Sequence, residues 1–79
     1  MFHGMEQTTT ERTAAVVRAE VARRKIRTAE LAALLDISRT TVWRRLNGQH
    51  PFGVAELAAI ADHIGVPIGT FFTAEDAAA

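Results

Sequence analysis

The feature that most constrains this chain is the stretch over residues 28–48, TAELAALLDISRTTVWRRLNG. Leu31, Ala32 and Leu35 recur there at helical spacing, which gives a short helix with one apolar face. Thr28 is placed to cap that helix, because its hydroxyl can accept from a first-turn N–H that has no partner within the helix. Asp36, Ile37 and Ser38 then interrupt the pattern. Ser38 suits the start of a second helix over residues 39–46, and Asn47 with Gly48 suits its stop. On that second helix Val42 and Leu46 point one way. At 100° per residue, Arg39, Thr40, Trp43, Arg44 and Asn47 fan out over the other side. Stability alone poorly accounts for so short a helix offering two guanidiniums, an indole, a hydroxyl and an amide to solvent.

The flanking segments also read as helices. Thr8 with Glu11 forms a capping box, and the helix it starts is expected to run to about Lys25, with Ala14, Val17 and Val21 on its buried stripe. Arg18, Arg23, Arg24, Lys25 and Arg27 crowd its end, where the helix dipole favours cations. They are either a solvated helix end or phosphate contacts beside the two-helix stretch. After a loop at Gln49, His50 and Pro51, Gly53 is a tolerated cap, with Glu56 three residues on. Phe52 and Leu57 have the spacing of a hydrophobic staple. Leu57, Ile60, Ala61 and Ile64 mark the inner face of that helix, and Gly65 ends it. Pro67 suits the first position of a short fifth helix carrying Ile68, Phe71 and Phe72. The expectation is an all-α, compact five-helix domain over residues 8–73, with a disordered leader at 1–7 and a short tail at 74–79. Its core would contain Val17, Val21, Leu31, Leu35, Ile37, Val42, Leu46, Leu57, Ile60, Ile64 and Ile68.

Composition narrows the function. Seventy-nine residues make one domain with a modest core. The absence of cysteine removes disulfides and thiolate metal sites. No apolar run reaches the length of a membrane span and no signal pattern opens the chain, so a soluble, cytoplasmic protein is expected. Ser38 is the only serine and is needed as a cap. His3, His50 and His63 lack the spacing of a metal site, and there is no glycine-rich phosphate loop. Catalysis, a metal and a cofactor are therefore not expected. The formal net charge is zero, but all nine Lys and Arg residues lie between Arg12 and Arg45. Only Glu20, Glu30 and Asp36 oppose them there, which leaves that segment at +6. A segregated basic half is an electrostatic footprint for nucleic acid.

The stretch over residues 28–48 resembles the helix-turn-helix of the phage repressor and Cro family of DNA-binding domains. Leu31, Ala32, Ile37, Ser38, Val42, Leu46, Asn47 and Gly48 carry the resemblance. Ala32 stands where the family keeps a small residue so that the two helices can cross closely. Two positions depart from the pattern. Asp36 replaces the usual turn glycine, though Asp tolerates a left-handed backbone. Arg45 replaces an apolar residue, so its stem is expected to pack while its head reaches water. More loosely, the resemblance extends over residues 9–72.

It implies a lambda-repressor-like fold and a transcriptional regulator that occupies a double-stranded operator. The family's base-reading positions fall on Arg39, Thr40 and Arg44, and arginine forks can grip guanine O6 and N7. Trp43 either packs on a thymine methyl or covers the start of the next helix near Phe52. Phosphate contacts are expected from Arg27, Thr28, Ser38, Arg45 and Asn47, at the edges of the motif. A palindromic operator and a homodimer follow from the family's symmetry. Phe71 and Phe72, one of which can enter the core, are the expected dimer surface or a lid on that core. The alternative is a protein-interaction module, such as the antitoxin of a toxin–antitoxin pair, with DNA binding secondary or lost. The surface of Arg39, Thr40 and Arg44 separates the two readings, since an adaptor has no need of it.

Overall fold

A computed structural model describes residues 8–72; the leader at 1–7 and the tail at 74–79 lie outside the described residues. Four α-helices follow one another: α1 (Thr9–Arg23), α2 (Thr28–Leu35), α3 (Arg39–Leu46) and α4 (Val54–Ile64). A single 3-10 turn, Ile68–Phe71, comes last, and no strand occurs among the described residues. The expected fifth helix is thus only this turn, and Pro67 flanks it rather than opening it. Gly69 and Thr70 are poor helix formers, and a run this short closes too few α-helical bonds to offset nucleation.

The chain stops each helix in the same way. Lys25 and Asp36 both have φ 57°, and Gly48 and Gly65 have φ 76° and 79°. The residue after each of these, namely Ile26, Ile37, Gln49 and Val66, sends its N–H back to the carbonyls of Val21, Ala32, Arg44 and Ala61. These bonds are the signature of a Schellman stop, which satisfies orphan last-turn carbonyls. Ile26, Ile37 and Val66 also pack on the core. The stop and the insertion of the next apolar side chain are one event. That is why α1 ends at Arg23 instead of continuing to Lys25. At Gly48 a Cβ would lie 3.2 Å from Glu11 Cγ, so the end of α3 sits closely on the start of α1.

Helix starts follow the sequence in three cases of four. Thr8 Oγ1 accepts from Glu11 N–H at 3.1 Å, and Glu11 Oε1 accepts from Thr8 N–H at 2.8 Å. Ser38 caps α3, and Glu56 Oε1 accepts the Gly53 N–H at 2.9 Å at the start of α4. The capping role expected of Thr28 is not what forms. Arg27 is the N-cap of α2, its extended backbone (φ −84°, ψ 153°) offering its carbonyl to Glu30 and Leu31, and no side chain caps the helix. Ile26 turns into the core, so α2 begins one residue earlier than expected.

Val17, Val21, Leu31, Val42, Leu57 and Ile60 are buried, joined by Ala14, Ala61 and Phe71. Leu35, Ile37, Leu46, Ile64 and Ile68 are half-buried around them. Phe71 is the largest fully buried side chain, so the 3-10 turn serves to bring it against α1 and α4. α2 and α3 pack against each other, α1 lies against α3, and α4 lies against α2. His63 Nε2 meets Glu30 Oε2 at 2.6 Å, which ties α4 to α2.

Candidate nucleic-acid interface

α3 starts where Ser38 Oγ accepts the Thr41 N–H at 3.1 Å and meets Thr41 Oγ1 at 2.9 Å. Val42, with no exposed surface, anchors it to the core. The opposite side carries Arg39, Thr40, Trp43 and Arg44, all exposed. Trp43 is 53% exposed. The exposed Asn47 donates Nδ2 to the Trp43 carbonyl at 2.8 Å, which closes the last turn. Arg27 and Thr28 are exposed at the start of α2.

The cations divide into two groups. Arg23 lies 3.2 Å from Glu20, and Arg24 pairs with the same carboxylate. Glu20 is nearly buried, and its carboxyl is held below the usual range, first by the hydrogen bond from Arg24, against an upward push from desolvation, and further by the charges of Arg23 and Arg24. Arg18 donates to the Leu46 carbonyl, and Arg12 donates to the Thr9 hydroxyl at 3.3 Å. Arg45 lies 3.2 Å from Glu56. Lys25, Arg27, Arg39 and Arg44 have no ion pair or side-chain hydrogen bond among the described residues. The crowd at the end of α1 is therefore neither wholly solvated nor wholly free: its own Glu20 neutralises part of it.

Arg45 departs from expectation. Its head is only partly open to water. Nη1 is buried, and the side chain is only 22% exposed. Sequence gave no warning of the Arg45–Glu56 pair, because Glu56 is already accounted for by the start of α4 and the partners lie on either side of a loop. The Arg18–Leu46 contact was equally invisible, since any carbonyl can accept.

Phe71 is wholly within the core, and Phe72, 40% exposed, is the ring left at the surface. Phe72 stands at the edge of an apolar cavity of about 150 Å³, with Thr9, Thr13, Pro51, Phe52 and Val54 around it. No group of three or more side chains able to hold a metal is found among the described residues. No helix among them is long and apolar enough to cross a membrane.

By family, the chain is a small regulatory domain of the DNA-binding type. The chain belongs to the BetR domain family, whose model matches residues 5–79. No curated protein and no solved structure matches it.

Proposed function

We propose that this protein is a sequence-specific transcriptional regulator of phage repressor or Cro type, non-catalytic and acting in the cytoplasm on double-stranded DNA. Residues 28–48 are its helix-turn-helix, and α3 enters the major groove. One observation carries the reading: α3 is anchored by Val42 on one side and, among the described residues, keeps Arg39 and Arg44 free of ion pairs on the other. A groove lined with phosphates and guanine acceptors is the environment such a helix fits. Arg39, Thr40 and Arg44 read base edges, and Trp43 packs on a thymine methyl.

Arg27, Thr28 and Asn47 hold phosphates. No side chain caps α2, which leaves its first N–H groups open to an anion. The Ser38 hydroxyl is engaged by Thr41, so Ser38 acts by fixing where α3 begins. Two copies bind a palindrome, and Phe72 with its neighbouring cavity supplies the dimer surface. A cavity of about 150 Å³ is the size that admits a benzene ring, so it can take the partner's Phe72. Occupying the operator blocks polymerase or a competing regulator.

Selection of bound fragments from a random duplex pool tests this directly. Enrichment of a two-half-site sequence is expected, and Arg44→Ala should then weaken binding by about 1–3 kcal/mol and relax one base pair per half-site. An equal loss on every sequence would make Arg44 a phosphate contact. No enrichment from a folded protein would overturn the proposal and favour an interaction module working through the Phe72 surface.

A further inference from the structure

The last turn of α3 is held by two arginines whose partners lie within the fold. Arg18 of α1 gives an Nη1 hydrogen to the Leu46 carbonyl, an acceptor in the turn where helical carbonyls lack partners. Arg45, on α3 itself, reaches the loop and the first turn of α4. Its Nε donates to the Pro51 carbonyl at 3.3 Å and lies 3.2 Å from Glu56 Oε1. That same Oε1 accepts the Gly53 N–H at 2.9 Å, so one carboxylate oxygen joins the start of α4 to the end of α3. Both side chains are 22% exposed, and Arg45 Nη1 is buried with no hydrogen-bond partner among the described residues. A guanidinium engaged through Nε and closed off at Nη1 is poorly placed to grip a phosphate. A pair this enclosed also differs from the exposed surface pairs that contribute almost nothing.

We propose that Arg45 is a positioning residue: with Glu56 it fixes the last turn of α3 and so the aim of the neighbouring Arg44. The consequence for DNA rests on the function proposed above, but the strut itself does not. Successive helical residues leave the axis 100° apart, so Arg45 can be tied inward while Arg44 stays free. A two-pronged contact to guanine tolerates only about half an ångström and 10–20° of misplacement in the helix that delivers it. Loosening the last turn therefore harms discrimination between sequences more than it harms general attraction to DNA.

Charge and geometry predict opposite results for Glu56→Ala, which removes both the charge and the shared acceptor oxygen. Removing an acid should tighten binding to all DNA if charge alone matters. If the strut matters, the ratio of affinity for the best selected duplex to that for a random 20-base-pair pool should fall about tenfold, a loss comparable to one misread base pair. Arg45→Ala should lower the same ratio similarly and leave the salt slope unchanged. Arg45→Lys keeps the charge but has no Nε–H at that place, so it should not rescue the ratio. Circular dichroism at the assay temperature selects folded variants, and Glu56→Ala with Arg45→Lys carry the test if Arg45→Ala does not fold.

A second readout needs no DNA. Trp43 is the chain's single tryptophan and sits on α3, so its indole N–H resonance should shift alike in Glu56→Ala and Arg45→Ala. Tighter binding by Glu56→Ala, rescue by Arg45→Lys, or an unmoved indole signal would each overturn the strut. Failure of the wild type to select any sequence would overturn the DNA reading and leave the indole signal to decide the strut alone.

Discussion

The division of the cations gives a number. Each phosphate neutralised by a cation contributes about −0.9 to the slope of log affinity against log salt. Of the nine Lys and Arg residues, only Lys25, Arg27, Arg39 and Arg44 lack an ion pair or side-chain hydrogen bond among the described residues. If all four meet phosphates, the slope is about −3.6 per protomer; if Arg39 and Arg44 go to bases, it is about −1.8. Between 50 and 200 mM salt these slopes correspond to losses of roughly 150-fold and 12-fold. Fluorescence anisotropy of a labelled 20-base-pair duplex, titrated at several KCl concentrations, reads the slope directly. Arg27→Ala should make it shallower by about 0.9. Arg23→Ala should leave it in place, because Glu20 already neutralises that guanidinium. A slope near zero in the wild type would refute the electrostatic reasoning. So would Arg23→Ala flattening it as much as Arg27→Ala, since pairing within the fold would then not withhold a cation from DNA.

Two further perturbations test the fold beneath that surface. Gly48→Ala and Gly65→Ala each force a left-handed side chain, at about 1–2 kcal/mol, but only at Gly48 does the new Cβ approach anything, with Glu11 Cγ at 3.2 Å and Glu11 Cα at 3.4 Å. Urea denaturation should rank Gly48→Ala as the more destabilising, and equal losses would mean that the α3–α1 approach yields freely. Glu20 has its folded pKa below its unfolded one, so its ionic contribution is full above the ordinary glutamate value of about 4.3 and disappears as pH falls through the lowered folded value. The stability gap between wild type and Glu20→Gln should accordingly close as the pH falls below the ordinary glutamate value, and a gap independent of pH would contradict the pairing.

What could be read from the sequence depended on whether the cause was local. Thr8, Ser38 and Gly65 act on neighbours three or four residues away, and each does what its residue type predicts. Asp36 was legible as a left-handed turn because its short polar side chain tolerates that backbone. Lys25 adopts the same angle without any such preference. There the need to bring Ile26 onto the core decides, and that need is tertiary. Phe71 and Phe72 could not be told apart as neighbours in a helix of unknown type. In a 3-10 turn, residues three apart eclipse, so Phe71 shares the face of Ile68 and goes inward. The Arg45–Glu56 contact depends on where a loop returns the chain, which no residue pattern specifies.

The zero net charge takes on a different meaning once the acids are placed. Glu20 pairs with Arg23 and Arg24 together, Glu56 pairs with Arg45, and Glu30 faces His63. Glu11 closes the start of α1. Glu56 and Glu30 link different helices while Glu11 and Glu20 act within α1 and its caps, and none of them pairs with the two arginines of the exposed side of α3. A domain arranged in this way has little general attraction for a phosphate backbone, because few of its cations are free. Any useful affinity must then come from contacts made only on the right sequence, and those demand a helix that does not rock. Burial of Val42 fixes one side of α3, Ser38 fixes its start, and Arg18 with Arg45 fixes its end. Under the proposed function, weak general binding and a firmly held α3 meet in one residue: Glu56, which withdraws Arg45 from the surface, also braces the helix that must discriminate.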